Sequence, residues 1–257
     1  MPRHRRGGSI IPAVIPRVYA PAAGQAGADV ELDADEAAHL VRVLRLRAGA
    51  EVRVFDGAGR EWVAAVRVAG KSHVTLALGA PAVPAPEPRV TYGLAVAVLK
   101  GDATDDVVRD AVMLGAAAVR PFVAARSETS LSALEKGRRV ARWRRVAIAS
   151  AKQCGRAVVP VIHDPILAER LWTDAPGPMR LLLLEPGADT AAVALADLPV
   201  PGGVTFAVGP EGGWSPAEVA AALGAGWRPA RLGGRVLRAA TAPLVALAAA
   251  QAVWRDA

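Results

Sequence analysis

The 257-residue chain has a single cysteine, Cys154, so it forms no internal disulfide and offers no cysteine-rich zinc site. That usage fits a reducing cytosol. It also lacks a membrane-spanning run. The start, MPRHRRGGSIIPAVIPRVYA, is basic and then apolar, but Pro12 and Pro16 interrupt it and no small-residue cleavage site follows. The apolar stretch from Ala239 to Trp254 is shorter than the ~20 residues a bilayer requires. It holds Pro243 and Gln251 and reads as a buried terminal helix. Two phosphate-binding patterns are missing as well. The chain has no G-x-x-x-x-G-K-[ST], and no G-x-G-x-x-G opens a first βα turn.

What is present is enough apolar residue, 53%, for a sizeable core, with 21% charged residues and a net charge of +7. A basic balance favours a polyanionic partner, nucleic acid first. Lysine is nearly absent, so arginine carries that charge.

One boundary stands out. GAPAVPAPEPR, Gly79 to Arg89, packs four prolines between two ordered-looking halves and reads as a stiff linker. The expected division is residues 1–80, a linker at 81–89, and residues 90–257. In the first part EVRVF, EWVAAVRVA and HVTLAL alternate between glycine turns, as strands of a small barrel or sandwich do. A helix-like insert, DADEAAHLVRVLRL, interrupts them. In the second part, nearly continuous apolar runs (VTYGLAVAVL, AAVRPFVA, VVPVI, RLLLLE, GVTFAVG) alternate with helical stretches. This predicts a mostly parallel α/β sheet covered on both faces.

Two basic clusters follow from helical spacing. In SALEKGRRVARWRRVAIASAKQCGR, read as one helix, Arg138, Arg142, Arg145, Lys152 and Arg156 share a face opposite Val140, Trp143, Ala147, Ala151 and Cys154. A solvated face is the ordinary reading. The absence of any acid between Lys136 and Arg156 favours a phosphate-contacting surface instead, because unpaired like charges at that spacing repel. In HLVRVLRLR, His39, Arg42 and Arg45 lie near one face while Leu40, Val43 and Leu44 are expected to pack inward. A histidine beside arginines can reach a phosphate or base.

VGPEGGWSPAE, Val208 to Glu218, has the form of a strand, a glycine turn and a helix start at Ser215-Pro216. Such a turn ordinarily takes an anion, yet it carries no lysine and places Glu211 where a phosphate would sit. RLLLLEP and RLGGRVLRAATAPLVAL supply two more turns after β-type runs, so three strand ends can converge on one pocket.

LLLLEP, VGPEGGWSPAEV and LGGRVLRAATAPLVAL, in this order and spacing, resemble the C-terminal motifs of SPOUT-class (trefoil-knot) RNA methyltransferases. Within that class they are most similar to the 16S ribosomal RNA uracil-N3 methyltransferase family. HLVRVLRLRAGAEVRVFDGAGREWVAAV resembles that family's PUA-like domain, and the segment from Lys100 to Arg156 its middle region. Two positions depart: Met113 stands where the family usually has Glu before Leu-Gly, and Ala240 where it has Glu within LRAATA.

The resemblance implies a C-terminal α/β trefoil-knot domain preceded by a small PUA-like β-barrel domain, acting as a cytoplasmic homodimer. S-adenosylmethionine is the implied methyl donor, with no metal. The implied substrate is 16S ribosomal RNA, naked or in the small subunit, and no membrane is involved. Its implied donor site comprises Leu184, Glu185, Pro186, Gly209, Pro210, Glu211, Gly212, Leu232, Gly233, Val236 and Leu237. Arg238 first and Arg156 second are the candidates to stabilise a deprotonated uracil, with Glu211 ordering the loop or helping to remove the proton. Arg17, His39, Arg42, Arg45, Arg126, Arg138, Arg142, Arg145 and Lys152 would hold RNA. A SPOUT-class ribose 2′-O-methyltransferase and a non-catalytic RNA-binding relative remain as alternatives.

Overall fold

The computed structural model describes residues 15–70, 73–174, 177–187 and 191–256; the basic start through residue 14 lies outside them. The chain divides into two compact units, residues 1–83 and 84–257. Among the described residues no helix is long and apolar enough to cross a membrane.

In the first unit, β1 (Arg17–Tyr19), β2 (Asp29–Glu31), β3 (Glu51–Phe55), β4 (Glu61–Ala69) and β5 (Val74–Ala82) form one sheet in the order β1-β3-β4-β5-β2. The β1–β3 pair is parallel and the others antiparallel. Alternation puts Val52, Val54, Trp62, Ala64, Val66, Leu76 and Leu78 into a shared core. In the β3–β4 turn, the Asp56 carboxylate accepts the N–H groups of Ala58 and Arg60 and the Arg60 guanidinium. Burial pushes that carboxyl up, but these donors outweigh it and hold it below its ordinary range.

Two expectations change here. β5 runs on through Gly79–Ala82, the first part of the expected linker. Pro81 is tolerated because it faces Trp62 of β4, while β2 pairs only with residues 75–77 of β5. The helical insert is α1 (Ala34–Ala38), N-capped by Asp33, followed by a π-helical turn over His39–Val43. Its wider i→i+5 closure, Leu44 N–H to His39 C=O at 3.0 Å, breaks the 100° projection. Leu40 is fully buried in the core, but Val43 is 66% exposed and Leu44 36%, not packed inward.

In the second unit, β6 (Thr91–Ala97), β7 (Ala118–Val123), β8 (Val161–Ile162), β9 (Ile166–Leu167), β10 (Met179–Leu183), β11 (Gly203–Val208) and β12 (Arg228–Ala230) form a sheet ordered β12-β10-β11-β6-β7-β8, with β9 also pairing β7. All its pairings are parallel. Parallel strands buried on both faces need near-continuous apolar sequence, as GVTFAV in β11 provides. On one face Ala95, Ala97, Phe122, Leu182 and Ala207 pack with α5 (Ala168–Asp174) and α6 (Pro216–Gly224). Toward the other, α7 (Ala242–Trp254) contacts β6 and β11 and also α2 (Ala103–Met113), which in turn packs on α4 (Arg139–Cys154).

The long basic helix is in fact two. α3 (Leu131–Lys136) is capped by Ser130 and ends at Gly137, whose backbone is extended; α4 then ends at Gly155, in the left-handed region at φ +86°. Its buried side carries Trp143, Ala147, Ser150 and Ala151. Past α7, the buried Asp256 carboxylate accepts the N–H groups of Arg89 (2.8 Å) and Val90 (2.9 Å) and the Tyr92 hydroxyl (3.1 Å), tying the chain's end to the start of β6.

Candidate active site

The C-terminal ends of β10 and β11 and the segment after β12 enclose a cavity of about 590 Å³. Parallel α/β sheets place ligands at this edge, because the βα turns there can diverge without disturbing the core. Three turns line it: Leu183–Pro186, Val208–Glu211 with Gly213 and Trp214, and Leu232–Ala242 except Gly234 and Thr241; Ala103 of α2 joins them. The predicted convergence of three strand ends is therefore observed.

The middle turn is held from several sides. Glu211 accepts the Lys100 N–H at 3.1 Å, linking it to the loop after β6. The Arg126 guanidinium donates to the Gly212 carbonyl at 2.8 Å, linking it to the loop after β7. Trp214 donates its indole N–H to the Leu183 carbonyl at 3.0 Å and stacks on Phe122, with centroids 5.6 Å apart. Gly209 lies under that indole; a Cβ there would sit 3.0–3.2 Å from its ring atoms. α6 then starts with a full capping box. Ser215 Oγ accepts the Glu218 N–H, and the Glu218 carboxylate takes the N–H groups of Ser215 (2.9 Å) and Ala125 (2.8 Å).

The lining combines apolar surface with both signs of charge. Glu185 and Glu211 bring carboxylates and Arg235 and Arg238 guanidinium groups. All four residues are exposed, and neither arginine makes a side-chain hydrogen bond or ion pair among the described residues. Among those residues no group of three or more His, Cys, Asp or Glu is placed to hold a metal ion.

Of the expected donor-site residues, all line the cavity except Gly212, which is turned onto Arg126. Arg238 and Glu211 line it and Arg156 does not. Arg156 is 4% exposed, pairs with Glu87 through Nε (2.9 Å) and Nη2 (2.5 Å), and donates Nη1 to the Val112 (2.7 Å) and Ala116 (3.1 Å) carbonyls. It is a buried structural cation, which corrects its proposed place at the reacting base. Arg17 is likewise engaged, by Glu61 at 2.9–3.0 Å and the Phe55 ring, and Arg126 by Gly212. The helix's lack of internal acids did not leave its whole basic face unpaired. Arg142 meets Asp102 and Asp105 of the α2 start. Arg42, Arg45, Arg138 and Arg145 are exposed, while His39 and Lys152 are half-buried.

Sequence reasoning passed over Ala103, Trp214 and Arg235 as lining residues, and the bracing by Glu218 and Arg126. The Ser215-x-x-Glu218 spacing was a visible signal for the capping box. Nothing in local sequence pointed to Arg126 and Gly212, which are 86 positions apart.

A family model described as the RNA methyltransferase domain matches residues 86–251, and one described as the RNA methyltransferase PUA domain matches residues 32–78. The chain belongs to the RNA methyltransferase family. It is 33% identical to the ribosomal RNA small subunit methyltransferase E of Synechocystis sp. over 86% of this chain and 72% of that protein. With the enzyme of the same name from Mycobacterium tuberculosis it shares 33% over 87% and 86%. Among solved structures it is similar to a methyltransferase from Legionella pneumophila in complex with the cofactor SAM. The TM-score is 0.85 and the identity 29%, covering 93% of this chain and 97% of that one. The Neisseria gonorrhoeae ribosomal RNA small subunit methyltransferase E bound to S-adenosyl methionine gives a TM-score of 0.84 at 31% identity, covering 93% and 98%. The fold of this family member is the SPOUT α/β fold of the trefoil-knot class, preceded by a PUA-like domain.

Proposed function

We propose that the chain transfers a methyl group from S-adenosylmethionine to N3 of a uridine in 16S ribosomal RNA of the small subunit, working as a cytoplasmic homodimer. One observation carries the reading: a strand-end cavity whose lining combines apolar turns, two carboxylates and two arginines without a side-chain partner among the described residues. Relatives that span most of the chain bear the name of a small-subunit ribosomal RNA methyltransferase, and similar structures hold the donor.

The residues present suit this donor. About 590 Å³ lies within the usual range for a small-molecule site of roughly 300–1,000 Å³. Leu184, Leu232 and Leu237 offer apolar surface to an adenosine, with backbone groups of the three turns to read its edges. A nucleoside without phosphates needs no lysine, and Glu185 suits a ligand bearing positive charge. When bound, S-adenosylmethionine supplies a methyl group already activated on a sulfonium.

The protein's share is to position the acceptor and set its protonation. Uracil N3 must lose its proton, and a guanidinium donating to an adjacent carbonyl oxygen favours the deprotonated ring through a charge-assisted hydrogen bond. Arg238 is assigned that task. Glu211 is assigned to ordering the loop, since one oxygen already takes the Lys100 N–H. The target base must be unpaired or flipped to enter. Exposed cations of each unit, Arg42 and Arg45 in the first and Arg138 and Arg145 in the second, are assigned to the RNA backbone. Half-exposed Met113 and Val253, on the mutually packed α2 and α7, offer apolar surface for a second copy.

Arg238→Ala tests the assignment. The expected result is loss of methyl transfer by at least about 100-fold with donor affinity by calorimetry within a factor of two; such a loss corresponds to roughly 2.7 kcal/mol of transition-state stabilisation. Full activity in the variant would contradict it.

A further inference from the structure

Several arginines elsewhere in the second unit are engaged inside the fold: Arg142 by Asp102 and Asp105, Arg144 by Asp164, Arg156 by Glu87, Arg139 by the Leu99 and Gly101 carbonyls. The segment after β12 is different. Arg231, Arg235 and Arg238 fall within eight residues, all exposed, and none makes a side-chain hydrogen bond or ion pair among the described residues. The segment contains no acid. Gly233, at φ +114°, bends it, and among the described residues no atom beyond the chain neighbours lies within 4 Å of where a Cβ would stand at Gly233 or Gly234, so this arc borders open space. Val236, between two of the arginines, is 66% exposed although it lines the cavity. Three unpaired cations beside an exposed aliphatic side chain repel one another and gain nothing from the fold. A ligand with negative charges at intervals and an apolar surface between them would complement this arrangement.

We propose that Arg231 and Arg235 form a phosphate clamp, gripping the RNA backbone on the two sides of the target nucleotide, with Val236 against an adjoining ribose. This rests on the reading of the chain as an RNA methyltransferase acting on an extruded base, and it goes beyond that reading by assigning separate work to neighbouring arginines. Arg238 serves the base. Arg231 and Arg235 serve the flanking phosphates. Arg231 does not line the cavity, which favours a ligand extending beyond the mouth over the carboxylate of the donor. Extrusion removes a base's stacking energy, and backbone contacts beside it must hold the distorted strand.

The test uses the full-length protein with small ribosomal subunits that lack the modification. Arg231→Ala, Arg235→Ala and Arg235→Lys are compared by equilibrium filter binding from roughly 50 to 200 mM salt, by methyl-transfer kinetics, and by calorimetry with S-adenosylmethionine. Each alanine variant is expected to weaken subunit binding about tenfold and to lower the slope of log K against log salt by about 1. In Arg231→Ala, at a residue outside the cavity, donor affinity stays within a factor of two. Arg235→Lys restores the slope, because a phosphate needs the charge more than the fork. Unchanged binding and slope in both alanine variants would overturn the clamp. A tenfold loss of donor affinity in Arg235→Ala with subunit binding intact would also overturn it and assign that residue to the donor. Should the wild-type protein methylate no subunit, the proposed activity fails, and the salt slopes still decide the clamp.

Discussion

Replacing Glu218 asks how firmly the cavity's middle turn is braced. The side chain is buried, and every group facing its carboxylate is a donor: Ala125 N–H on Oε1, Ser215 N–H and Ser215 O–H on Oε2. In Glu218→Ala the two backbone N–H groups lose their partners, at about 1–3 kcal/mol each, and the capping interaction adds about 1 kcal/mol. The expected loss is about 4 kcal/mol, a fall in Tm of roughly 10 °C for a chain of this size. Glu218→Gln has one acceptor oxygen. Its amide N–H must then face a backbone N–H, although the Ser215 hydroxyl can rotate to accept, so about half the loss is expected. Calorimetric unfolding measures both variants, and donor titration reports whether the turn at Gly209–Trp214 loosens with them. A Gln variant as stable as the wild type, or an Ala variant costing less than about 1 kcal/mol, would refute the reasoning.

Gly209→Ala should destabilise by about 1–3 kcal/mol and weaken donor binding, since the Trp214 indole against it is fixed by Leu183 and Phe122; calorimetry and tryptophan fluorescence check this. Asp256 carries a pH dependence. Burial pushes its carboxyl up, but its donors, the N–H groups of Val90 and Arg89 first, outweigh that and lower it below 3.8. A depressed folded value contributes stability above the unfolded value that is lost as pH falls through the folded one. The stability gap between wild type and Asp256→Asn should therefore be full at pH 6 and shrink below about pH 4, as acid-unfolding curves of the pair would reveal. Arg156→Ala strands the Val112 and Ala116 carbonyls and Glu87, for about 3 kcal/mol at the lower end for broken buried pairs. Its activity per folded molecule, assayed well below the melting temperature, should match the wild type.

The parallel sheet was legible because GVTFAV and RLLLLE are too apolar to face water on either side. The site was legible because strand ends in such a sheet converge. The edge strands β9 and β12, of two and three residues, have no room for a period and left no signal. The π-turn at His39–Val43 is hidden from a fixed rotation per residue, which projects Val43 into the core, whereas Leu40 is buried there and Val41 packs against it. Arg156 escapes the pattern for a similar reason. The helical projection does not hold past Gly155, whose left-handed backbone ends α4, and the partner Glu87 lies 69 positions away. Local sequence encodes caps and periods; ion pairs across the fold are set by topology.

The central claim is that the methyl group goes to a uracil N3. Small subunits lacking the modification are incubated with the protein and labelled S-adenosylmethionine, and the ribosomal RNA is hydrolysed in alkali. The account predicts that label is released in a mononucleotide that co-migrates with 3-methyluridine 2′(3′)-monophosphate. Label retained in an alkali-resistant dinucleotide would place the methyl group on a ribose and contradict it.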